Sequence, residues 1–203
     1  MAARAPLPSP RFGYPVVLDV RDVPVLVVGG GRIGARKADG LVAAGAAVRL
    51  VATAVSDHVD RAAMAEVIER PFVDEDLDRM RLVVTATGDR DTDAAVSAAA
   101  RRWAIWVNAA DQPVDCDWIL PAIARSGRVS VSVSTDGASP ALARELRTAI
   151  ASLLGDDIGQ LAEELAAERA VIKARGESTE DIDWTERVRT AIATATAGRS
   201  IEA

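Results

Sequence analysis

The chain is poor in the residues that build covalent or metal staples. A single cysteine, Cys116, excludes an intrachain disulfide. A single histidine, His58, excludes a multi-histidine metal site within one chain. No apolar run approaches the roughly 18 residues that a membrane span needs. Residues 1–13, rich in Pro, Ala and Arg, lack the apolar stretch of a signal peptide and read as a loose tail. No basic stripe points to nucleic acid. The net charge of −6 is concentrated in residues 155–186, which carry a local −7 and leave +1 for the rest, so an acidic, solvated helical tail is expected. These absences and a hydrophobic content of 49% leave a mixed α/β chain with an ample core, expected in the cytoplasm.

The most informative stretch is VLVVGGGRIGARK at 25–37. Val25, Leu26, Val27 and Val28 form a wholly apolar run, as in a strand buried on both faces. Gly29, Gly31 and Gly34 then fit G-x-G-x-x-G ahead of a helical pattern. The first glycine permits a tight turn, the second lets backbone approach a pyrophosphate, and the third allows helix and strand to pack closely. Gly45 is the expected helix stop.

Strand and helix patterns alternate from there. Residues 46–52, 66–72, 82–87 and 104–108 read as further strands, with a helix over 91–102 before the last. This pattern predicts a Rossmann-type parallel sheet with right-handed crossovers and a ligand beyond the carboxyl ends of its strands. The expected cofactor set is Gly29, Gly30, Gly31, Arg32, Ile33, Gly34, Thr53, Ala54, Thr87 and Asn108. The second strand ends in Val51-Ala52-Thr53, without the acidic residue that usually holds the adenosine ribose. The choice between NAD and NADP is therefore open at that position.

Beyond residue 113 the pattern changes. Residues 128–135 alternate valine with serine, as in a half-buried strand whose edge invites a second chain. Ser139-Pro140 is a cap and first-turn pair that opens a helix to about residue 154. Helices are expected over 157–174 and 181–197. The domain reading is a dinucleotide-binding domain over 14–113, a small strand-helix dimerisation element over 114–150 and a helical C-terminal domain over 151–203. Residues 121–150 carry a local +2 that would suit an anionic substrate.

Several spaced motifs resemble the precorrin-2 dehydrogenase family, the N-terminal module of siroheme synthases. They are Tyr14-Pro15 with Leu18-Asp19; VVGGGRIGARK at 27–37; Ala86-Thr87; NAADQP at 108–113; Cys116-Asp117-Trp118; Pro121-Ala122; STDGASP at 134–140; and Ala143-Arg144 with Arg147. The resemblance covers residues 14–150. It implies NAD-dependent oxidation of precorrin-2 to sirohydrochlorin by a homodimer. Bifunctional members then insert Fe2+ into the tetrapyrrole.

The family's catalytic aspartate falls on Asp111, as general base or as the carboxylate that helps deliver the metal; no further metal ligand is implied. Arg125, Arg128, Thr135, Ser139, Arg144 and Arg147 are the expected substrate contacts. Asp136 departs from the family pattern and sets a negative charge beside a polyanion. Read without the resemblance, Asp111 is a turn former, Asp115 and Asp117 face solvent, and Arg36 and Lys37 are solvated helix residues. The competing readings are a dehydrogenase for another tetrapyrrole or small acid, and a non-catalytic nucleotide-sensing dimer.

Overall fold

The structure, a computed structural model, describes residues 11–180 and 182–196. It divides into two compact units, Met1–Leu120 and Pro121–Ala203. In the first unit the chain runs β1 (Pro24–Gly30), α1 (Arg32–Ala43), β2 (Ala47–Val55), β3 (Glu66–Glu69), β4 (Leu82–Thr85), α2 (Arg90–Arg102) and β5 (Trp106–Ala109). The five strands form one sheet in the order β3-β2-β1-β4-β5. Every pairing is parallel. That is the arrangement of a nucleotide-binding half-sheet, with β1 at its centre.

The apolar run of β1 has a simple physical cause. Its residues point alternately to opposite faces, and both faces are covered. Val25 and Val27 pack with Ala35, Ala38 and Leu41 of α1. Leu26 and Val28 pack with Val96, Ala99 and Ala100 of α2. Full burial of side chains of this size stabilises the fold by about 1.5–3 kcal/mol each. The expected third strand shortens to four residues, and the fifth begins two residues later than its pattern suggested.

The N-terminal stretch is less loose than its composition implied. The Arg11 guanidinium donates to the carbonyls of Pro113 at 2.6 Å, Val114 at 3.1 Å and Cys116 at 2.9 Å. Phe12 packs against the α2-side core. Residues 1–10 lie outside the described part. The stretch 114–120 also belongs to the first unit, because Cys116 and Ile119 join that same core.

The second unit opens with β6 (Ala122–Ser126) and β7 (Val129–Val133), an antiparallel hairpin. The strand β6 was not expected from the sequence. Its turn places Gly127, φ 53°, at the first central position, where a II′ hairpin demands glycine. Helix α3 (Pro140–Ala174) is interrupted at Gly155, φ 50°, and α4 spans Thr185–Ala195. The break matches the division expected between residues 154 and 157. Gly159 lies so close to the hairpin that an added Cβ would stand 2.7 Å from the Ser126 carbonyl carbon. Among the described residues no helix is long and apolar enough to cross a membrane.

Candidate functional site

The site lies at the carboxyl ends of β1, β4 and β5, and glycine makes it possible. Gly29 sits at φ 121°, and a Cβ there would stand 2.3 Å from the Ala86 carbonyl oxygen. A Cβ on Gly34 would meet the Gly29 oxygen at 2.1 Å, and one on Gly30 the Ala54 oxygen at 2.4 Å. Of these four glycines, Gly31 alone faces open space. It is the N-cap of α1, whose first turn has neither a side-chain cap nor an acidic residue. An uncapped helix start beside a glycine-lined opening is a ready anion site. These features fit a dinucleotide: three glycines let the chain fold back on itself, and the fourth leaves room for a diphosphate.

The opening is a cleft of 650 Å³. Gly31, Arg32, Ile33, Thr87 and Asp111 line it together with Asp93 and Gln112. Thr53 and Ala54 stand exposed at the end of β2 and do not line this cleft. Asn108, expected at the cofactor, is instead buried beneath the loop after β5. Its Oδ1 accepts from Lys37 Nζ at 2.7 Å and its Nδ2 donates to the Trp118 carbonyl at 2.9 Å, so both ends of the amide are already engaged.

Asp111 follows β5 at φ 58°, a left-handed conformation that Asp tolerates better than most residues. It is exposed, and it lines both the cleft and a second hollow of 340 Å³ on the α1 side. Its loop is held from below. The Cys116 sulfur lies 3.2 Å from both the amide nitrogen and the carbonyl oxygen of Ala109. Burial pushes the pKa of this thiol up, as suits a packing group rather than a nucleophile. Asp117 does not simply face solvent, since its Oδ2 accepts from the Val107 amide at 3.1 Å and its Oδ1 pairs with Arg101. Asp115 also pairs with Arg101.

Two residues that organise the site are not legible as such in the sequence: Asp93 carries no recognisable signal, and Lys37, within the motif 27–37, reads as a solvated helix residue. Asp93, on the first turn of α2, is buried and gathers donors from both neighbouring loops. It accepts from the hydroxyls of Thr85 and Thr87, from the Thr87 amide at 3.0 Å and from Gln112 Nε2 at 3.2 Å. Lys37 is half-buried rather than solvated. Burial holds its pKa below the usual lysine range and neighbouring Arg36 adds to this, against the opposing pull of Cys116 and Asp111. Among the described residues no three His, Cys, Asp or Glu side chains stand together as a metal site.

The residues expected at the substrate lie in the second unit. Thr135 and Ser139 are engaged in local structure: the Ser139 amide donates to Thr135 Oγ1 at 3.1 Å, and Ser139 Oγ caps α3 by accepting from the Leu142 amide at 3.2 Å. Arg128 pairs with Glu163 at 2.6 Å. Arg125 and Arg144 are exposed, and Arg147 is half-buried.

Comparison with known proteins accords with this geometry. The family described as "Putative NAD(P)-binding" matches residues 16–122, which hold the whole sheet and the cleft. The chain belongs to this NAD(P)-binding family. A second family, "Sirohaem biosynthesis protein central", matches residues 127–153, the hairpin turn and the start of α3. The siroheme synthase of Methylococcus capsulatus is 44% identical over 151 residues, 73% of this chain and 32% of that protein. That of Thioalkalivibrio sulfidiphilus is 38% identical over 170 residues, 82% of this chain and 35% of that protein. The chain thus spans about a third of the length of these relatives. The solved structure titled "SirC, precorrin-2 dehydrogenase" is 28% identical with a TM-score of 0.67, and the match covers 90% of this chain and 98% of that one. The resemblance drawn from the spaced motifs agrees with these matches, and the parallel α/β fold is that of the solved precorrin-2 dehydrogenase.

Proposed function

We propose that this chain oxidises precorrin-2 to sirohydrochlorin in siroheme biosynthesis, with NAD as its cofactor. One observation carries the reading: a lone exposed carboxylate, Asp111, lines both the glycine-floored cleft and the cationic hollow beside it. The oxidation removes a hydride and a proton from the substrate. NAD, when bound, supplies the hydride acceptor. Asp111 takes the proton, since this carboxylate borders both the cleft whose residues would hold NAD and the hollow beside it. Gly31 and the start of α1 hold the diphosphate, and Thr87 with Gln112 lines the opposite wall. Thr53 and Ala54 at the end of β2 bring neither an acidic residue for a ribose 2′-hydroxyl nor an arginine for a 2′-phosphate, so NAD is proposed from the family resemblance and not from this segment.

The family resemblance extends the proposal to a cytoplasmic homodimer in which Fe2+ enters the product as a substrate of the following step. Arg125, Arg144 and Arg147, which need no rearrangement of a cap or an ion pair, are the second unit's candidates for substrate carboxylates. The test is anaerobic mixing of the protein with precorrin-2 and NAD, following NADH and sirohydrochlorin absorbance together. Matched formation of both, lost in Asp111→Asn while NAD still binds, is the expected result. Asparagine also tolerates the left-handed backbone, so the loop is retained. NAD binding with no turnover of precorrin-2 by the unaltered protein overturns the proposal.

A further inference from the structure

The hollow between α1 and the loop after β5 is walled by Arg32, Arg36 and Lys37 on one side and by Ala110 and Asp111 on the other. Three cationic side chains thus face one carboxylate. Arg32 and Arg36 are exposed, four residues apart on one helix face, and neither has an ion pair among the described residues. Like charges at this spacing repel, and the start of α1 carries a positive dipole end. Lys37 is not free to swing away, because Asn108 holds its ammonium at 2.7 Å. One carboxylate against three cations leaves the hollow with a net positive charge, and an anionic ligand is what balances it.

We propose that this hollow is an anion subsite in which Arg32, Arg36 and Lys37 hold one peripheral carboxylate of the tetrapyrrole and so set the ring edge beside Asp111. This rests on the function proposed above. Size favours a side arm over the ring itself: 340 Å³ is at the low end of ligand pockets, about 300–1,000 Å³. Position favours substrate over cofactor. A 2′-phosphate is read at the end of β2, whereas this hollow is walled by the loop after β5. Arginine beside a fixed lysine suits a carboxylate, since the guanidinium pairs with both oxygens while the ammonium adds a point charge. Burial and the nearby guanidinium both disfavour the charged lysine, and the charge of a bound carboxylate offsets them.

Arg36→Gln is the informative variant, because Arg36 is exposed and its loss leaves no partner unpaired. Sirohydrochlorin binding is measured anaerobically by absorbance titration, and NAD and NADP binding separately by calorimetry. The expected result is sirohydrochlorin affinity weakened about tenfold, as for one lost charge-assisted bond. Arg36→Lys should recover part of the loss, and NAD affinity should be unchanged. Unaltered sirohydrochlorin affinity in Arg36→Gln overturns the subsite. A loss confined to NAD or NADP also overturns it and assigns the cations to a cofactor phosphate. If the unaltered protein binds NAD but not sirohydrochlorin, the proposed function itself falls, and the subsite with it.

Discussion

Asp93→Ala is expected to destabilise the first unit and loosen its cleft together. The carboxylate accepts from Thr85 Oγ1, Thr87 Oγ1 and the Thr87 amide through one oxygen, and from Gln112 Nε2 through the other. The exposed side of Thr87 allows its hydroxyl to turn to water. Thr85 is fully buried and cannot do so, and the Thr87 amide is fixed by the backbone. Stranding these two donors at the usual cost of a buried unsatisfied group gives about 3 kcal/mol. For a unit of this size that lowers Tm by about 10 °C.

Asp93→Asn separates hydrogen bonding from bulk. The retained oxygen keeps its three donors, and the new amide meets Gln112. The Oε1 of Gln112 is buried without a partner, so a flip of that side chain lets it accept the new N–H. The expected cost is about 1 kcal/mol. Thermal and urea unfolding measure stability, and calorimetry measures NAD affinity, which should fall in the alanine variant because Thr87 and Gln112 line the cleft. An alanine variant within 1 kcal/mol of the parent, or an asparagine variant as damaged as the alanine one, would refute this account of Asp93.

The glycines make a paired prediction. Gly31→Ala puts a methyl into open space, so stability should hold while NAD affinity falls at least tenfold; Gly34→Ala drives a Cβ into the Gly29 carbonyl and should lower Tm as well. Equal effects of the two on Tm would contradict this division of roles. A pH prediction follows from Asp76, whose pKa burial alone would raise. The Arg70 guanidinium at 2.6 and 2.8 Å and the Val73 amide at 3.0 Å outweigh that and hold it below the usual aspartate value. Its stabilisation is therefore complete above the unfolded pKa near 3.9 and disappears as pH falls through the lower folded-state value. Arg70→Gln should lower stability at pH 7, modestly because the arginine side is screened by solvent, and the gap should narrow in acid. A gap that does not narrow as pH falls below the unfolded value of about 3.9 in urea titrations would show that the pair does not act through this ionisation.

Much of the site was legible because local chemistry announces it. Gly29, Gly31 and Gly34 each stand where a side chain would strike backbone or block an approach, so their spacing alone predicted the turn. The motif 108–113 singles out Asp111, which the fold brings to the cleft, and its left-handed backbone explains why the same residue also reads as a turn former. Asn108 belongs to the same motif, yet its role went the other way, because the partners that engage it come from residues 37 and 118. Asp93 and Arg11 go unread in the sequence, and Lys37 reads there as solvated, for the same reason. An aspartate in a first helical turn, a lysine on a helix and an arginine in a proline-rich tail are ordinary residues until long-range packing supplies their partners.

Periodicity and glycine spacing thus determined the parallel sheet, the diphosphate turn and the break near Gly155, since these depend on side-chain alternation and allowed backbone angles within a few residues. Tertiary structure alone decided which polar groups are buried and with whom. It brought Asp93 to two loops, seated Lys37 against Asn108, and tied Arg11 to the carbonyls of residues 113–116. It also paired the unanticipated β6 with β7. The physical reason is sequence distance: a local pattern sets the conformation of a segment, but a buried charge or amide must be satisfied by whatever the fold carries to it.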